Sequence, residues 1–275
     1  MADLDSIKDR LHDLVDAHAD VLIDASHQIH DHPELGYEEH FAHDLLTSVL
    51  KDAGVDVEQR AYGLETAFAG RAGSTGPTVA VLCEYDALPV IGHACGHNVI
   101  GTAGLGAGIA AAALAEELGG QLLILGTPAE EGGGGKVKLA EQGAFEGVDA
   151  AMMVHPAGVD LPSFAAIAIQ TVEVVYKGRA AHAAAAPQKG LNALDAAVLG
   201  YMNVAALRQH IRPDERIHGI FTEAGDAANV VPDRTAAKWY VRSPKMRSLE
   251  ALKARVMTCL EAGAAAAGCT MEHAW

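Results

Sequence analysis

Basic residues are scarce in this chain: 20 Lys and Arg stand against 36 Asp and Glu, a formal net charge of −16 over 275 residues. A nucleic-acid-binding face needs the opposite balance, so that class of partner is excluded. The ordinary effect of such a charge is solubility. It leaves room for an anionic substrate, because local basic side chains can still hold a carboxylate. Cysteine is scarce as well. Cys83, Cys95, Cys259 and Cys269 are numerous enough for two disulfides, but nothing else suggests secretion. The start, MADLDSIKDR, is acidic and polar and lacks the apolar core of a signal peptide. Reduced thiols in a cytoplasmic protein are therefore expected. Long hydrophobic runs are missing too. The longest, residues 99–115, is rich in Gly and Ala and reads as a buried helix rather than a membrane span. There is no internal repeat and no low-complexity tail.

What is present is an alternation of helices and strands. Residues 3–53 read as two or three amphipathic helices, broken by Pro33 and Gly36 and ended by Gly54. Short strands follow between 55 and 85, with VDVEQRAY alternating and TVAVLCEY nearly all apolar, as in a buried central strand. A helix of small residues spans 99–118. QLLILGTP is a second buried strand, KVKLAEQGAF a short helix, and VDAAMMVH a third buried strand ending at His155. This order predicts a mixed, mostly parallel α/β sheet with helices on both faces. Its ligand site should lie beyond the C-terminal strand ends. A different pattern, β-α-β-β-α-β, runs from about 167 to 275 and predicts a smaller split-βαβ unit with one exposed sheet edge. The expected domains are 1–166 and 167–275.

Three clusters carry chemistry. His93, Cys95 and His97 share one loop, and a thiolate two residues from an imidazole suits a borderline-soft divalent metal. Glu130 and Glu131 follow an apolar strand and precede four glycines. Adjacent carboxylates are costly unless a cation is near. In an extended loop they would point to opposite sides, one towards a metal and the other towards water. His155 closes a strand before a proline. Each cluster also has an ordinary explanation: a buried free cysteine, a solvated Glu pair, a satisfied core histidine. Their coincidence at three successive strand ends points to a metal site. Glu84 and Asp86 end the TVAVLCEY strand; Asp86 is placed either to orient a ligand imidazole or to cap a turn. His182, Asn229 and Arg242 in the second unit are unremarkable alone.

Five ordered motifs nevertheless resemble one family. CEYDALPVIGHACGHN, GTPAEEGGGGK, the strand ending in His155, GRAAHAAAAPQKGLNALDA and NVVPD are similar to the di-metal aminoacylase/carboxypeptidase family of zinc metallopeptidases. The likeness is greatest to its amidohydrolase branch, with aminobenzoyl-glutamate hydrolases and auxin-conjugate hydrolases, and it runs over roughly residues 25–275. The resemblance implies two divalent ions, Zn or Mn, in a catalytic domain interrupted by a lid domain that forms a homodimer. It implies Cys95 as the ligand bridging the metals, His97, Glu131 and His155 as terminal ligands, and Glu130 as general base and acid. It implies that His182 polarises the scissile carbonyl, and that Asn229 and Arg242 hold a substrate carboxylate. The implied activity is hydrolysis of the amide bond of an N-acyl amino acid or dipeptide. No membrane or nucleic-acid partner is implied.

The chain departs from the family in two ways. Relatives continue for a further hundred residues or so, returning to the catalytic domain with its last strands and a final metal-binding His. The catalytic domain is thus expected to be incomplete, and the alternative function is an inactive metal-binding or dimerising remnant. Asn98 also stands where many relatives have Asp, although the branch with CEYDALP commonly has Asn.

Overall fold

The computed structural model describes residues 3–162 and 167–275. The chain divides into two compact units, Met1–Asp160 and Leu161–Trp275. The domain boundary expected at residue 166 lies outside the described residues.

The first unit begins with three helices, α1 (Leu4–Ala17), α2 (Ala19–Asp31) and α3 (His40–Asp52). Asp3 caps α1 by accepting from the amide of Asp5. No residue of α1 is buried. Glu34 starts α3 by accepting the amides of Phe41 and Ala42 at 2.9 and 3.0 Å. Then come strands β1 (Asp56–Gln59), β2 (Phe68–Ala72) and β3 (Thr78–Cys83), helix α4 (His97–Leu118), β4 (Gln121–Gly126), α5 (Gly135–Glu141) and β5 (Ala150–Met152). A two-pronged ion pair between Arg10 and Glu117, both contacts 2.7 Å, ties α1 to α4. The strands form one mixed sheet in the order β1-β2-β4-β3-β5. Pairing is parallel for β4-β3 and β3-β5 and antiparallel for β1-β2 and β2-β4.

Helix α4 is long and apolar enough to cross a membrane by length and composition, but 67% of its most apolar window is buried inside the protein. Its glycines explain how close it lies to the sheet. A Cβ at Gly104 would sit 2.7 Å from the Cys83 sulfur, and one at Gly108 would sit 2.6 Å from the Ile124 side chain. Leu105 and Ile109 of α4 then pack with Leu22, Ile29, Leu46 and Leu50 over Phe68, Val81 and Ile124. Each fully buried side chain of this kind contributes about 1.5–3 kcal/mol. The other sheet face is covered by Leu139 of α5 with Ala61, Ala144 and neighbouring small residues.

One strand differs from its sequence reading. VDAAMMVH was expected to form a buried strand ending at His155, but β5 is three residues long and all three are exposed. It lies at the sheet edge, paired only with β3 among the described strands. An apolar run does not distinguish an edge from a centre when one face stays open.

The second unit has the order β6 (Ala168–Lys177), α6 (Ala193–Arg208), β7 (Arg216–Glu223), β8 (Arg234–Ser243), α7 (Met246–Ala267) and β9 (Thr270–Ala274). Its four strands pair antiparallel in the order β7-β8-β6-β9. The period of two is regular along β8: Thr235, Ala237, Trp239, Val241 and Ser243 are buried, and the residues between them are not. Both helices cover that face, with Val204, Leu252, Val256 and Leu260 in the core. They cross where glycine meets glycine, since a Cβ at Gly263 would lie 2.4 Å from the Gly200 amide. Asn192 caps α6 on the amides of Leu194 and Asp195.

Candidate metal centre

The site is assembled from loops that follow β3, β4 and β5. Cys95 lies in the loop after β3, and His97 is the first residue of α4, introduced by Gly96 at φ 84°. The Cys95 sulfur is 3.6 Å from Nε2 of His155, and the ligand atoms of Cys95, His97 and His155 all lie within 4.8 Å of one another. The two imidazole rings stand edge to face, 6.1 Å apart. A thiol and two imidazoles are a donor set that fits zinc or a similar divalent ion. The separation fits as well. Two ligands bound tetrahedrally at the usual Zn–S and Zn–N lengths would be about 3.6 Å apart.

Second partners orient both rings. Nδ1 of His97 is 2.9 Å from Oδ1 of Asp86, and Nδ1 of His155 is 2.8 Å from the Pro156 carbonyl. With Nδ1 donating, Nε2 presents its lone pair to the cleft. The other Asp86 oxygen accepts the Glu131 amide at 2.8 Å, so one buried carboxylate sets both a histidine and the glutamate loop. Burial acts to raise Asp86, but the hydrogen bonds from His97 and Glu131 outweigh it and hold its carboxyl below the usual value. For His97 burial acts downward, yet the bond to Asp86 and the charges of Asp86, Glu84 and Glu130 push its pKa up. The cleft favours positive charge at Nε2, whether a proton or a cation carries it.

Glu130 and Glu131 are not splayed to opposite sides as an extended loop would have them. Ala129 takes φ 56°, and the Gly132 amide closes a tight turn on the Glu130 carbonyl at 2.8 Å. Both carboxylates consequently approach Nε2 of His97, each at 3.9 Å. Burial, together with nearby Glu84 and Glu131, raises the Glu130 carboxyl against the opposing effect of Lys136. A carboxylate made more basic is suited to taking a proton from water. Burial, Glu131 and the other carboxylates push the Cys95 thiol up to about 11. Nucleophilic cysteines sit in electropositive surroundings, the reverse of this one.

The turn carrying the glutamates is held from the N-terminal helices, a part of the site that motif reading did not single out. Glu39, fully buried, accepts the Ala129 amide at 2.8 Å and the Thr66 hydroxyl at 2.8 Å. Gly36 fits against Ala129 only because it lacks a Cβ, which would lie 2.9 Å from the Ala129 Cα. The signal was the segment ELGYEE, read from sequence only as a helix break. Asn98 is also structural, donating to the Ser26 side chain at 3.0 Å and so tying α4 to α2.

In the second unit His182 and Asn229 come together. Asn229 accepts the Ala183 amide at 2.9 Å, and His182 bridges Val230. The His182 ring accepts the amides of Ala184 and Ala185 at 3.2 and 3.1 Å on Nδ1, which leaves its Nε2 as the donor. Arg242 lies on β8 with its guanidinium 6.0 Å from the Tyr240 ring centre and its Nε buried without a partner.

Residues 83–260 match peptidase family M20/M25/M40. The chain is 41% identical to a Xaa-Arg dipeptidase of Mus musculus, over 98% of this chain and 66% of the relative. It is 34% identical to a p-aminobenzoyl-glutamate hydrolase component of Escherichia coli, over 94% of this chain and 58% of that one. It thus spans less than two thirds of either relative's length. The fold is that of a dinuclear metal-binding peptidase of Bacillus subtilis, with TM-score 0.72, 22% identity, and coverage of 94% of this chain and 74% of that chain. With 178 of its residues inside the matched region, the motif order of its loops and the fold in common, the chain belongs to peptidase family M20/M25/M40.

Proposed function

We propose that this chain hydrolyses the amide bond of an N-acyl amino acid or dipeptide that carries a free carboxylate, with two divalent ions, zinc or manganese, at its centre. The observation that carries this reading is the convergence of Cys95, His97 and His155, with Glu130 and Glu131 directed at the same imidazole. Cys95, His97, Glu131 and His155 would hold the ions. Bound there, divalent cations acidify water and polarise a carbonyl. Glu130 accepts the proton that water gives up as the new carbon–oxygen bond forms. It returns that proton to the amine nitrogen as the carbon–nitrogen bond breaks.

His182, Asn229 and Arg242 are the proposed substrate-binding residues. The Nε2 donor of His182 suits a developing oxyanion, and the planar guanidinium of Arg242 suits a carboxylate. The names of the relatives, a Xaa-Arg dipeptidase and an aminobenzoyl-glutamate hydrolase, fit this substrate class. Pairing of two copies along β7 is part of the proposal. That strand is a sheet edge, and its Ile220 is 66% exposed. The four free cysteines fit a reducing, cytoplasmic setting.

The test is metal content by mass spectrometry, followed by hydrolysis of p-aminobenzoyl-glutamate and Xaa-Arg dipeptides with and without chelator. About two ions per chain and chelator-sensitive cleavage are expected. Two ions without cleavage of any such amide would leave only a metal-binding protein. Cleavage that survives chelation but is lost on Cys95→Ser would replace this reading with a thiol hydrolase.

A further inference from the structure

Glu84 has no role in the assignments above, yet it is among the most deeply placed carboxylates of the cleft. It directly follows β3 and is 2% exposed. Its two oxygens have different surroundings. Oε1 is held by the ammonium of Lys136 in α5. Oε2 is buried, makes no hydrogen bond, and lies 3.5 Å from Nε2 of His97. That nitrogen is likewise buried without a hydrogen-bond partner, and its ring donates Nδ1 to Asp86.

With the His97 ring neutral, two lone-pair atoms face each other, shielded from water, at a separation too long for a hydrogen bond. The separation matches something else. A nitrogen and an oxygen bound tetrahedrally to one zinc ion, at the usual lengths of about 2.0–2.2 Å, stand about 3.4 Å apart. Cys95 and His155, at 3.6 Å, form a second such pair. Glu84, His97 and Glu130 offer ligand atoms that all lie within 4.8 Å of one another, a grouping distinct from that of Cys95, His97 and His155.

We propose that Glu84 is a metal ligand of this centre, binding one ion through Oε2 together with Nε2 of His97, while Lys136 holds Oε1 and keeps the carboxylate monodentate. This rests on the di-metal reading above. A buried carboxylate left half unpartnered is costly, and the ion completes its coordination. Lys136 is a positioning residue: it fixes the rotamer that aims Oε2 at the cleft.

The deciding experiment is anomalous diffraction from crystals of the zinc-loaded protein. An ion within about 2.2 Å of both Glu84 Oε2 and His97 Nε2 is expected. Ions held by Cys95, His97, Glu131 and His155 with Glu84 more than about 3 Å away would overturn this inference and leave the proposed function standing. No ion in the cleft would overturn both. In solution, equilibrium dialysis of Glu84→Gln, which keeps shape and the oxygen that meets Lys136, should show one ion bound at least about tenfold more weakly. Unchanged affinity for both ions in that variant would count against the ligand role. Should the variant fail to fold, diffraction from the unsubstituted protein still decides.

Discussion

In the second unit the buried face of β8 consists of Thr235, Ala237, Trp239, Val241 and Ser243, packed on aliphatic helix residues. At the same depth the first unit holds Glu39, Glu84, Asp86, His93 and His97. Both units leave some buried polar atoms without partners. In the second these are scattered, as at Thr235 and Trp239 Nε1; in the first, beside His43 Nε2 and the His93 ring, His97 Nε2 and Glu84 Oε2 face one another. An unpartnered buried polar atom costs about 1–3 kcal/mol, more when charged. A scattered one is a packing compromise, whereas a facing pair with a charged neighbour marks where a ligand is expected. The first unit thus carries a polar cluster beside its apolar cores, whereas the buried face of β8 serves a core alone.

Substitutions can break that contrast. Glu130→Gln should leave folding and metal content intact while lowering kcat by about 10²–10⁴-fold, read by metal analysis and steady-state kinetics. Retention of full activity would remove Glu130 from the chemistry. Trp239→Ala should destabilise the second unit by about 3–5 kcal/mol, measured by denaturant unfolding. Zinc uptake by the first unit should persist. If zinc uptake fell with it, the units would not be separable in this way. Asp86→Asn should weaken metal binding by about 10–100-fold, since His97 loses its orienting carboxylate, with only a modest change in unfolding.

The smallest effect concerns pH. Burial raises the Glu39 carboxyl above its usual 4.5, despite its hydrogen bonds. The folded state then binds this proton more tightly than the unfolded state. Stability of the parent relative to Glu39→Gln should be greatest below the usual value and decline as pH rises through the raised one. Denaturant midpoints of both proteins across that range would show it. A difference growing with rising pH would mean that the hydrogen bonds from Ala129 and Thr66 dominate.

Much of this was legible from sequence where periodicity was long. Helices over 3–53, β4 and the β-α-β-β-α-β order of the second unit stand where their patterns put them, but the break between α1 and α2 at His18 has no Pro or Gly to announce it. β2 is harder to see, because FAGRA is short and rich in small residues. It is a strand because β1 and β4 pair with it on either side. β5 was placed but misjudged in depth, since an apolar run carries no information on what covers it. In the site, motif order brought Cys95, His97 and His155 to notice, and the structure groups them. The aim of the two glutamates was not legible, for it depends on the positive φ of Ala129 and on Glu39, ninety residues earlier. Nor was the pairing of Glu84 with Lys136, which joins residues 52 apart.

The placement of β6 bears on how the second unit is made. β6 is the first of its strands to be synthesised, yet it ends between β8 and β9, the last two. Its first neighbour, β8, arrives only after a helix and another strand have been translated, and β9 only after a second helix. Until β8 arrives both of its edges are unsatisfied, one stays so until β9, and contacts of such long sequence separation form slowly. This unit therefore spends its synthesis with its central template exposed, and its vulnerability to misassociation lies in nascent chains rather than in the finished fold.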